Sequence, residues 1–201
     1  MKVLGITGGV GSGKSTILAY LNDAYRAYVI ELDKVAHELM EKGENGYTGI
    51  VERFGTDILA QDGGIDHARL YQKAFADRQG VEELNRIIHP LVKKEVCRRI
   101  GLIQKQEDVP FIVLEAALLL EDHYEQICDE IWYIHVDEAV RSERLKESRG
   151  YTEEKIRSIL KNQKSDKEFR EACQFVVDNS SNIIENTYGQ IDKGLKEHEF
   201  V

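Results

Sequence analysis

The chain has 201 residues, of which 42% are hydrophobic and 31% charged, a composition that suits one globular domain with an insertion better than two full domains. Its net charge of −9 argues against a general nucleic-acid footprint, and no apolar run approaches the roughly 20 residues of a membrane span. The opening stretch MKVLGITGG lacks a signal-peptide layout, and Cys97, Cys128 and Cys173 are too scattered for a disulfide framework or a zinc site, so a reducing cytoplasm is expected.

Taken in chain order, Leu4 to Thr7 reads as a short buried strand. A glycine-rich loop follows, then a helix from about Gly13 to Tyr25 with Ile17, Leu18 and Leu21 on one side. Tyr28 to Leu32 reads as a second strand, and Asp33 opens a helix through about Met40. Gly43 to Gly49 is turn-like, and Asp62-Gly63-Gly64 is a clear turn. Helices are expected over 66–75 and 81–88, with His89-Pro90 punctuating the pattern before a helix resumes over 91–105. Phe111 to Glu115, Glu130 to Val136 and Phe175 to Asp178 read as further strands. Helices are expected over 138–147, 152–171 and 184–197.

Apolar strands alternating with helices indicate a five-stranded parallel sheet covered on both faces. The helical stretch between strands two and three is longer than one crossover needs, so it is the candidate for a substrate-side insertion. The expected division is a sheet core of 1–33, 109–137 and 172–201, a helical insertion of 34–108, and a basic helical segment of 138–171. Residues 141–170 hold ten Lys/Arg against six Asp/Glu, a local charge of +4 in an acidic chain. Such a run is either a solvated helix face or a cationic flap over an anionic substrate.

The stretch GGVGSGKST, residues 8–16, fits GxxxxGK[ST] between a strand and a helix, the setting that gives this motif meaning. Successive N–H groups form an anion nest, and the helix start adds its positive dipole end. Gly8, Gly9, Gly11, Ser12, Gly13 and Thr16 are the candidate phosphate-contacting residues, Lys14 the cation for the β- and γ-phosphates, and Ser15 a Mg²⁺ ligand. A Rossmann loop would require glycine where Lys14 stands.

A GTPase is disfavoured, because the nearest match to NKxD, Asn162 to Asp166, has an extra residue and lies in the basic helical run. A small-molecule kinase lid, with Arg144 and Arg149 on the transferring phosphoryl group, suits that run better. Asp33, at the carboxyl end of strand two, reads either as a general base for an acceptor hydroxyl or as the N-cap of the next helix. Glu115, ending strand three, reads either as a Mg²⁺ holder through water or as a strand-end carboxylate with no such role.

The segments GITGGVGSGKST, VIELDKVAHE, RFGTDILAQDGGID, LNRIIHPLV, LLLE, RLKESRGYTEEKIRSILKNQ and VVDN stand in the order and spacing of dephospho-coenzyme A kinases, from about Lys2 to Asn179. The sequence thus resembles that family. The resemblance implies a P-loop kinase core of three layers with a helical CoA-side domain and a lid. It implies ATP and Mg²⁺ as cofactors, and phosphorylation of the ribose 3′-hydroxyl of dephospho-CoA in the last step of coenzyme A synthesis. It also implies Asp33 as base, Arg144 and Arg149 as lid arginines, and His89 and Leu118 on the acceptor side. The sequence departs from the family pattern at Glu31, where aspartate is usual, at His67, where arginine is usual, at Ala117, where proline is usual, and at Cys173-Gln174, often Ala-Asp. None of these removes a reacting group. Rival readings are a kinase for another nucleoside or nucleotide acceptor, and an ATP-binding regulatory protein.

Overall fold

The computed structural model describes residues 1–76, 78–106 and 108–201. Five strands, β1 (Lys2–Thr7), β2 (Tyr28–Glu31), β3 (Phe111–Glu115), β4 (Glu130–His135) and β5 (Phe175–Asp178), form one sheet in the order β2-β3-β1-β4-β5. The pairings β1 with β3, β1 with β4 and β4 with β5 are parallel, with Gly5 opposite both Leu114 and Ile131. Among the described residues the chain divides into two compact units, Met1–Val29 with Ile103–Val201, and Ile30–Leu102.

The core of the first unit is built from strand residues buried by helices. Leu4, Ile6, Phe111, Val113, Trp132, Ile134 and Val177 meet Ile17, Leu18 and Leu21 of α1 (Lys14–Tyr25) and Ile191 and Leu195 of α9 (Ile184–Glu197). Each such side chain contributes about 1.5–3 kcal/mol on full burial. Tyr20 of α1 stacks on Tyr188 of α9, and the hydroxyls of Tyr20 and Tyr25 both donate to Asp192, at 2.6 and 2.8 Å. That clasp joins the two helices. The basic run forms α6 (Glu138–Arg149), α7 (Glu153–Lys161) and α8 (Asp166–Ala172). The single helix expected over 152–171 is therefore two. The first ends at Lys161 with Asn162 as its C-cap, and Ser165 starts the second with a capping box, its side chain accepting from the Glu168 N–H while the Glu168 carboxylate accepts from the Ser165 N–H.

The second unit holds α2 (Leu32–Leu39), α3 (Asn45–Phe54), α4 (His67–Ala74) and most of α5 (Arg78–Gln106). Two sequence expectations fail here. His89-Pro90 does not interrupt α5, because Leu84, Ile88, Val92, Val96 and Ile100, spaced four apart, keep one buried stripe running past an exposed proline. Packing along that stripe outweighs the one hydrogen bond that proline deletes. The turn expected over Gly43 to Gly49 gives way at Asn45 to α3. Gly46 is a packing residue, since a Cβ there would lie 2.5 Å from the Leu39 carbonyl oxygen and 3.0 Å from Ile88 Cδ1.

Glu95 of α5 accepts from Arg98 at 2.7 and 2.8 Å and from Arg99 at 2.8 Å, and Arg99 also pairs with Glu38. The Arg98 hydrogen bonds, opposed by burial and aided by Arg99, pull the Glu95 carboxyl from its ordinary 4.5 to about 2. A carboxyl with a lowered folded-state pKa contributes stability above its unfolded value and loses it as pH falls through the folded one. Glu95→Gln is therefore expected to lower the melting temperature near neutral pH, with the gap to wild type closing between 4.5 and about 2. Melting curves across that range test this, and a gap independent of pH refutes it.

Candidate active site

The chain turns from β1 into α1 through Gly8 to Gly13. Gly11 and Gly13 hold φ of 86° and 84°, the left-handed region that only glycine occupies without strain. A Cβ on Gly8 would lie 2.7 Å from the Ile134 carbonyl oxygen, and one on Gly13 would strike the Asn179 amide nitrogen. Asn179 is nearly fully buried and holds the loop from behind. Its Nδ2 donates to the Ser12 carbonyl at 2.8 Å, its N–H donates to the His135 carbonyl at 2.8 Å, and its Oδ1 accepts from Thr187 at 2.8 Å.

Three observations fit this loop to phosphate. The start of α1 has neither a capping side chain nor an acidic residue in its first turn, so its positive end has no carboxylate of its own. The Ser12 hydroxyl is buried without a hydrogen-bond partner among the described residues. A buried hydroxyl left in that state costs stability unless a ligand answers it. Lys14 supplies the cation, its Nζ donating to the Gly8 carbonyl at 2.8 Å and lying 3.4 Å from Glu115. Ser15 and Thr16, in the first turn of α1, are exposed.

The arginines of α6 divide into three settings. Arg144 donates to the Asn179 and Ser181 carbonyls at 2.9 and 3.3 Å, so it braces the loop after β5. Arg149 ends α6 exposed, with its guanidinium 5.9 Å from the Tyr151 ring centroid. Arg141, which the sequence reading did not single out, lies on the phosphate loop. Its Nε donates to the Val10 carbonyl at 2.8 Å, its Nη2 bonds the Gln163 amide oxygen, and its guanidinium stands 2.5 Å from where a Gly9 Cβ would be. Its place one helical turn before Arg144 was the available signal.

In the second unit Asp33 is the second residue of α2. Glu31 occupies the N-cap position with no side-chain cap bond, and it pairs with Lys34 at 2.7 Å. Asp33 is therefore not the cap, one of its two sequence readings. It is exposed, and its charge, after burial, raises the pKa of Tyr71. The Tyr71 hydroxyl lies 3.3 Å from His37 Nε2, and the His37 and His67 rings meet edge to face at 4.8 Å. Burial first, then the neighbouring His37, pushes His67 below the usual imidazole value, and its Nδ1 is buried without a hydrogen-bond partner among the described residues. Asp33 and His37 of α2 thus meet His67 and Tyr71 of α4, a grouping that sequence separations of up to 38 positions concealed. His89, within α5, is partly buried, and Leu118, just after β3, is 46% exposed.

A parallel sheet in this strand order, with an anion nest between β1 and α1, is a P-loop kinase fold. Sequence comparison narrows the class. The dephospho-CoA kinase family model matches residues 2–185. A dephospho-CoA kinase from Enterococcus faecalis is 35% identical over 196 residues, covering 98% of this chain and 96% of that one. The chain belongs to the dephospho-CoA kinase family. Solved structures agree on the fold: a Thermus thermophilus protein has a TM-score of 0.81 at 22% identity, covering 98% of this chain and 97% of its own. The dephospho-CoA kinase from Campylobacter jejuni has a TM-score of 0.73 at 18% identity, covering 99% of this chain and all of its own.

Proposed function

We propose that this protein transfers the γ-phosphate of ATP to the ribose 3′-hydroxyl of dephospho-CoA, in the cytoplasm. The carrying observation is the phosphate loop, whose Ser12 hydroxyl is buried without a hydrogen-bond partner among the described residues and whose helix start is uncapped, a setting that a phosphate would complete. Family membership directs the choice of acceptor. In this reading the backbone from Gly8 to Thr16 holds the phosphates, and Lys14 exchanges Glu115 for them.

Ser15 and Glu115 would hold Mg²⁺. One hydroxyl and one carboxylate make the sparse oxygen set suited to an ion that keeps several waters and binds phosphate. When bound there, Mg²⁺ would neutralise phosphate charge. Among the described residues no three His, Cys, Asp or Glu side chains gather that could hold a metal, so its other ligands would be phosphate oxygens and water. Arg149 is assigned to the transferring phosphoryl group, and Arg144 acts on the nucleotide through the 179–181 loop. Asp33 takes the hydroxyl proton, with His89 and Leu118 on the acceptor side.

The test is ADP production from ATP and Mg²⁺ with dephospho-CoA, adenosine, AMP or phosphopantetheine as acceptor. Dephospho-CoA alone is expected to drive it, giving a product with a 3′-phosphate. Turnover with a different acceptor replaces the substrate, and turnover with none supports a regulatory nucleotide-binding protein.

A further inference from the structure

We propose that Arg141 is a ligand of the nucleotide's β- or γ-phosphate, exchanging the Gln163 amide oxygen for a phosphoryl oxygen. This deepens the proposed function and rests on its phosphate-loop reading. The argument begins with charge. Arg141 is a partly buried cation, and among the described residues its side-chain acceptors are two neutral oxygens, the Val10 carbonyl and the Gln163 amide. Glu138, one turn earlier, acts on it only through charge, without an ion pair among the described residues. Cations withdrawn from water are ordinarily matched by an anion.

The geometry says where that anion would sit. The guanidinium lies against Gly9, beside the loop whose other features fit phosphate, and a methyl group on Gly9 would occupy its space. The Nε bond to Val10 fixes the plane of the fork, and Leu145, one turn later on α6, packs over Gly11. Arginine has five N–H donors in that fork, so donors remain for a phosphate after the Val10 bond is kept. A phosphate oxygen carries negative charge that the Gln163 amide lacks, and charge-assisted hydrogen bonds are the stronger kind. Gln163 lies between α7 and α8, so its release on nucleotide binding would carry the event into the basic segment.

Calorimetric affinities of wild type, Arg141→Gln and Gln163→Ala for ATP and AMP test this, with melting curves to verify folding. Arg141→Gln is expected to weaken ATP by about 10-fold or more while AMP stays within about twofold, because the lost bond is to a phosphate that AMP lacks. Equal losses for both nucleotides, or no loss in a folded variant, would make Arg141 a tether of the loop and overturn the proposal. Gln163→Ala is expected to keep or tighten ATP binding, since it removes the competitor, and this holds as a test even if Arg141→Gln does not fold. A weakened Gln163→Ala overturns the exchange. A wild type that binds no ATP overturns the phosphate-loop reading itself.

Discussion

Lys14→Ala is expected to lower turnover by at least about 10²-fold, the scale on which a single preorganised stabilising group acts on a developing charge. Lys14 is the one Lys or Arg within residues 8–16, and its ammonium is already held by its bond to the Gly8 carbonyl. Its second contact, Glu115 at 3.4 Å, shapes the control. Both side chains are largely covered, 12% and 13% exposed, so alanine removes one close cation from the Glu115 carboxylate and is expected to cost some stability as well as activity. Lys14→Ala/Glu115→Gln relieves that charge and is expected to recover melting temperature without recovering turnover. Near-normal turnover in a folded Lys14→Ala protein would refute the phosphate-loop assignment.

The phosphate loop was legible in the sequence because its chemistry is local. Backbone contact with phosphate dictates glycine at fixed spacing, a strand before and a helix after, and each requirement is visible within 16 residues. The strands were legible for a similar reason, as both faces of a parallel sheet are covered and the strands read as continuous apolar runs. What stayed hidden depends on distant segments. Arg141 looked like one more charge on a basic helix until Gly9 and Gln163 were seen beside it. Gly46 looked like a turn residue, because the sequence does not reveal that the end of α2 passes close to it. His89-Pro90 looked like a break, because a proline's local penalty is visible and the buried stripe that offsets it is not weighed residue by residue. The split at Ser165, by contrast, was written locally as a serine followed three residues later by glutamate, and was passed over within a long helical pattern.

Asp33→Asn is the other substitution with a large expected effect, and the structure simplifies its reading. With Glu31 at the N-cap position and Asp33 inside the first turn, neither asparagine nor alanine at position 33 removes a cap. What each removes from α2 is a carboxylate near the positive end of the helix dipole, about 0.3–1 kcal/mol for an exposed group. Folding should therefore be nearly the same in both variants. Catalysis should not. Neither side chain accepts a proton or carries the charge that orients an acceptor hydroxyl, and general-base contributions are typically about 10²–10⁴-fold. Phosphoryl transfer passes through a loose transition state, so much of that loss comes from positioning the hydroxyl. The expected result is a fall in kcat with dephospho-CoA of at least about 10²-fold in both variants, with ATP affinity changed by no more than about 3-fold, since the proposed function assigns the phosphates to the loop. Alanine matching asparagine in stability and in lost turnover would separate the base from the cap. Wild-type turnover in Asp33→Asn would remove the base assignment and pass it first to Glu31, whose carboxylate would have to leave its 2.7 Å pair with Lys34 to serve. Glu31→Gln measured beside it decides between the two carboxylates.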